Sequence, residues 1–81
     1  MPDPPADVLD RQRRLAGLSH GELWVRYFGL GGMHSDGELR AILSGTAGTS
    51  AHDHDVIARA LNERFVELGG NHLVPYAGDG P

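Results

Sequence analysis

The apolar positions of this chain fall into four groups with helical spacing. In the last group, Val56, Ile57, Ala60, Leu61, Phe65 and Leu68 recur in the rhythm of a helix that turns one face to a core. Asp55, Arg59, Asn62, Glu63 and Glu67 fall mainly on the other side. Leu23, Tyr27 and Leu30 form an earlier stripe, with Trp24 and Phe28 beside it. Leu39, Ile42 and Leu43 form a shorter one. Val8, Leu9, Leu15 and Ala16 mark a short N-terminal helix over Asp7 to Ala16, with Gly17 closing it.

Polar punctuation separates these groups. Ser19, Ser35 and Ser50 each precede an apolar group, and each is followed three residues later by an acid: Glu22, Glu38 and Asp53. A serine hydroxyl there accepts a bond from a first-turn backbone N–H. The acid complements the positive helix end, and a glutamate also reaches back to its cap's N–H. Gly31-Gly32, Gly45 and Gly69-Gly70 close the same three segments, because glycine enters the left-handed backbone region at no steric cost. Gly45 to Ser50 is small and polar and reads as a loop.

The expected architecture is therefore all-α: a small bundle of three main helices plus a short N-terminal helix. After Gly70, Pro75 forces Val74 toward an extended conformation. An extended C-terminal arm is expected to lay Leu73, Val74 and Tyr76 on the bundle. The single domain is expected over residues 6–76, with disordered tails at 1–5 and 77–81.

Composition narrows the function classes. At 81 residues the chain is one domain with a small core. It has no cysteine, so thiol catalysis, disulfides and thiolate metal sites are excluded, and a reducing cytoplasm is the expected location. Neither a membrane span nor a signal peptide is visible. The net charge of −4 argues against a nucleic-acid partner, because phosphate neutralisation supplies most non-specific affinity. All seven basic residues are arginine, a codon-level bias toward a GC-rich genome. Arg11, Arg13 and Arg14 read as a solvated cationic face at a helix C-terminus.

Candidate chemistry is sparse. His52-Asp53-His54-Asp55 carries metal-ligating side chains, with His52, His54 and Asp55 as candidate ligands. Alternating residues at a helix mouth converge poorly on one ion, so no metal and no cofactor is expected. No serine sits in a nucleophile elbow and no phosphate-binding glycine loop is present, so no catalytic residue is assigned and the chain is expected not to be an enzyme. A helix-turn-helix pair formed by the last two helices is a third reading. It is opposed by the long 45–50 loop and by the aspartates opening the last helix.

Two resemblances add to this. Tyr27-Phe28-Gly29-Leu30-Gly31-Gly32-Met33-His34-Ser35 resembles the Leu-Gly-Gly-x-Ser motif of acyl and peptidyl carrier domains. That resemblance implies phosphopantetheine attachment at Ser35, although two residues instead of one separate the glycines from the serine. Glu22 to Phe28, Leu30-Gly31-Gly32, His52 to Leu68 and Val74-Pro75-Tyr76 together resemble small actinobacterial proteins of uncharacterised function. The leading expectation is a non-catalytic protein-interaction module, with regulation as one role open to it, that contacts a protein partner through Trp24, Tyr27, Val25 and Val66.

Overall fold

The computed structural model describes residues 6–70 and residue 74. It contains four helices: α1 (Ala6–Leu15), α2 (His20–Gly29), α3 (Asp36–Ser44) and α4 (Ala51–Glu67). No strand occurs among the described residues. The N-terminal helix is not the minor element expected: with 10 residues α1 matches α2 and exceeds α3, which has 9. The expected tails at 1–5 and 77–81, and the expected contacts of Leu73 and Tyr76, lie outside the described residues.

The helices α2, α3 and α4 each start where a serine stands. Ser19 and Ser35 form complete capping boxes with Glu22 and Glu38. Ser50 Oγ accepts from the Asp53 N–H at 3.1 Å, but the Asp53 carboxylate turns elsewhere. Each helix also ends in the same paired backbone bonds. In α2, the Gly32 N–H donates to the Tyr27 carbonyl at 3.0 Å and the Gly31 N–H to the Phe28 carbonyl at 3.1 Å, the pair that satisfies two orphan carbonyls. The two glycines there serve different ends. Gly31 takes a φ of 93°, which a side chain resists. Gly32 lies under the Tyr27 ring, and a Cβ at that position would overlap ring atoms.

The closely packed pairs are α1 with α3 and α4, and α2 with α3 and α4. The core lies between them. Leu23, Tyr27, Leu39, Ile42, Leu43, Ile57 and Leu61 are its largest fully buried side chains. Each contributes about 1.5–3 kcal/mol by leaving water, before the entropy of ordering is set against it. Two arginines brace the C-terminal end of α1: Arg13 Nη1, from α1 itself, donates to the Leu18 carbonyl at 2.7 Å, and Arg64 Nε, from α4, donates to the Ala16 carbonyl at 3.1 Å. Arg13 therefore departs from the solvated face expected of it; its side chain is 12% exposed and also holds Asp10 at 2.9 Å. Leu15 departs in the opposite sense and is exposed.

Asn62 is the main departure within α4. It was expected on the solvent side, yet it is 2% exposed. Its Nδ2 donates to the Val74 carbonyl at 3.0 Å, and its Oδ1 accepts from the Val74 N–H at 3.2 Å. One amide thus satisfies both backbone groups of a residue that is itself buried. The docking expected of Val74 is present, fastened by a polar side chain as well as by apolar burial.

Candidate functional site

Three of the six exposed large apolar side chains among the described residues, Val25, Phe28 and Met33, lie on α2 and the loop that follows it. Val25 and Phe28 lie three apart on the outer side of α2, with exposures of 64% and 59%. Trp24 is half-buried and packs against the core. Its ring stacks on Phe28 with centroids 5.2 Å apart. Its indole Nε1 donates to the His34 carbonyl at 3.0 Å. Trp24 therefore closes the core on one side and supports an exposed aromatic ring on the other. Met33, in the loop after α2, is 87% exposed. Neither Phe28 nor Met33 is marked as exposed by the sequence: Phe28 flanks the inward stripe at helical spacing, and Met33 has no periodic context.

Tyr27 does not belong to this surface. The structure corrects the expectation that it contacts a partner, since it has 0% exposure. Its hydroxyl instead accepts from the backbone N–H groups of Met33 and His34, both at 3.1 Å. Its role is to hold the loop that carries Met33 and His34. Val66 is exposed on α4, beside Glu67. Glu67 receives a two-pronged hydrogen bond from Arg26, at 2.7 and 2.8 Å, which ties the C-terminal ends of α2 and α4. That bond holds the Glu67 carboxyl below the ordinary carboxylate range. The pair spans 41 residues of sequence, so no local spacing rule reveals it.

His34 is the densest polar junction. Its Nε2 lies 2.9 Å from Asp53 Oδ2 at the start of α4. Its Nδ1 lies 3.8 Å from Glu38 Oε2 on α3. The bond with Asp53 is the main cause that raises the His34 pKa above its ordinary value. The same bond lowers that of Asp53, against the opposing effect of burial. Stability from His34 is fully present below its unfolded value of 6.5 and is lost as pH rises through the raised folded value. Stability from Asp53 is present above 3.8 and is lost as pH falls through the lowered one.

The histidine–aspartate run at the start of α4 is divided by the fold. Asp53 faces His34, while His52 and Asp55 line an open cleft of about 410 Å³ with Leu30, Val56 and Arg59. Among the described residues no group of three or more His, Asp or Glu side chains converges as metal ligands. A second open cleft of about 300 Å³ is lined by Asp10, His20, Arg40, Ala41 and Ser44. Burial is the leading cause lowering the His20 pKa, followed by the Arg13 charge. Burial pushes the Asp10 carboxyl up, but the Arg13 bond and the neighbouring arginine charges outweigh it and the net shift is downward.

Ser35 is exposed and stands immediately before α3. Its Oγ accepts from the Glu38 N–H at 3.2 Å, and no base faces it among its described hydrogen bonds. The helices α3 and α4, which a helix-turn-helix reading pairs, are not among the closely packed pairs. No helix among the described residues is long and apolar enough to cross a membrane. Comparison with protein-family models, with curated proteins and with solved structures finds no match to this chain.

Proposed function

We propose that this chain is a non-catalytic protein-interaction module of the cytoplasm, and that its docking surface is the outer face of α2. The observation that carries this reading is the Trp24–Phe28 stack with Val25 beside it. A helix of 10 residues presents Val25 and Phe28 to water at 64% and 59% exposure, backed by a tryptophan fixed through its indole N–H. Exposed aromatic and aliphatic side chains on a rigid support have the composition of interface anchors. Fixing Trp24 in advance lowers the entropy that binding must supply. The lack of cysteine fits a reducing compartment.

The double substitution Val25→Asp/Phe28→Asp tests the surface. Both positions are exposed, so the variant should remain folded, with a loss of about 1–2 kcal/mol from the Trp24–Phe28 stack and from carboxylates near the C-terminal end of α2. Partner binding should fall at least tenfold, measured with a partner first enriched on the wild-type chain and then purified. Equal binding by wild type and variant removes this face from the reading.

A carrier-type domain loaded at Ser35 is the second reading. It is favoured by the exposed placement of Ser35 at the start of α3, after Gly31-Gly32. The Ser35 hydroxyl is already occupied as an N-cap, which also accounts for that placement. Under the docking reading, incubation with a phosphopantetheinyl transferase and coenzyme A leaves the intact mass unchanged. A gain of one phosphopantetheine, abolished by Ser35→Ala, would transfer the assignment to the carrier class.

A further inference from the structure

His34 ties its loop to three helices through four separate atoms. Its backbone N–H donates to the Tyr27 hydroxyl and its carbonyl accepts from the Trp24 indole. Its two ring nitrogens face two carboxylates on two other helices, Asp53 on α4 at 2.9 Å and Glu38 on α3 at 3.8 Å. A neutral imidazole carries one N–H and one lone pair. It can therefore satisfy only one of these carboxylates, and it turns a lone pair toward the other. The imidazolium, with an N–H on each nitrogen, donates to Asp53 at 2.9 Å and attracts Glu38 as an ion pair at 3.8 Å. Glu38 and Asp53 are tied into the first turns of α3 and α4 by hydrogen bonds with Ser35 and Ser50, so the ring is gripped from two fixed helix starts. The other charged group acting on this junction is His52, whose charge is felt by Asp53. From α2 the contacts are Trp24 and Tyr27, which bring no charge.

We propose that His34 is a protonation-dependent strut that sets the pose of the Trp24–Phe28 face. When the ring is charged, it draws α3 and α4 onto the 30–35 loop, and the His34 carbonyl holds the Trp24 indole. When the ring is neutral, one carboxylate contact becomes repulsive, the loop loosens, and the anchor of Trp24 loosens with it. The consequence for a partner rests on the docking reading above: binding through the α2 face weakens as His34 loses its proton. The raised His34 pKa, caused first by the Asp53 bond, places this change on the alkaline side of the ordinary histidine range.

The test does not need a partner, because Trp24 is the one tryptophan in the chain. Its fluorescence emission is followed from about pH 5 to pH 9, alongside the histidine ring proton resonances and far-ultraviolet circular dichroism. The expected result is an emission shift with the same midpoint as the His34 resonance, above the ordinary histidine value, while helix content stays constant. His34→Gln should abolish the shift. Asp53→Asn and Glu38→Gln should each lower the midpoint, and they carry the test if His34→Gln does not fold. An emission that stays flat while His34 titrates, a shift that survives in His34→Gln, or midpoints unmoved in both carboxylate variants would overturn the proposal. Failure of the strut leaves the Val25→Asp/Phe28→Asp result untouched. Failure of the docking surface likewise leaves the emission shift in place, so the two readings fall separately.

Discussion

Tyr27→Ala is expected to leave the protein largely unfolded at 25 °C, seen as loss of the cooperative urea transition. Removing a buried aromatic side chain costs about 3–5 kcal/mol through lost transfer energy and the cavity left behind. A core this small rarely supplies more than about 3–5 kcal/mol in total. Tyr27 has 0% exposure, and Gly32 is shaped to receive its ring, so neighbouring backbone has little to collapse with. The same residue also fastens the loop through two hydrogen bonds to its hydroxyl. Tyr27→Phe separates these roles. It keeps the ring in its socket and strands two part-buried N–H groups, at a cost of about 1–3 kcal/mol. That variant should fold with a lower urea midpoint and an unchanged slope. If Tyr27→Ala unfolds cooperatively with nearly wild-type stability, the ring is not the keystone its burial indicates.

The helix boundaries were legible in the sequence because they are local. Ser19 with Glu22 and Ser35 with Glu38 act over three residues, within the reach of a spacing rule. Gly45 and Gly31 announce the left-handed turns they adopt. The inward stripes of α3 and α4 were legible for the same reason, except at Leu68, which stands at the cap after α4 and is exposed. What the sequence hid is long-range and polar. Asn62 looks like an ordinary solvent-facing residue until Val74 arrives from 12 positions away. His34 sits in a loop with no periodicity, and its partner Asp53 is 19 residues distant. Tyr27 and Trp24 are both large and amphipathic, and although helical spacing sets Tyr27 on the inward stripe, side-chain type alone makes both candidates for a partner surface. The fold decides it, by setting Gly32 under Tyr27 and leaving Trp24 at the edge of the core. Of the four residues expected at a partner surface, Val25 and Val66 are exposed, Trp24 is half-buried and Tyr27 is buried, while Phe28 is exposed although its helical spacing sets it beside the inward stripe.

Asn62→Leu should release Val74 from α4 and lower global stability by about 2–4 kcal/mol, because it leaves two buried backbone groups without a partner. The loss has a physical ceiling. If the stranded N–H and C=O cost more than docking contributes, the segment lifts off and returns both groups to water. The measured loss then equals the docking free energy, to which burial of the Val74 side chain contributes about 1.5–3 kcal/mol. Two measurements distinguish these regimes. Hydrogen exchange at the Val74 amide should become fast in Asn62→Leu while core amides of α4 stay slow, because only the clamp has opened. A chain ending at Gly70 should lose as much stability as Asn62→Leu does in the full chain. Combining the two changes should cost no more than either alone, since both remove the same contact. In the shortened chain, leucine should even gain slightly over asparagine, which would otherwise carry a desolvated amide with nothing to bind. Additive losses would mean that Asn62 stabilises α4 by a route other than Val74. A Val74 amide that stays protected in Asn62→Leu would show that apolar contact alone docks the segment.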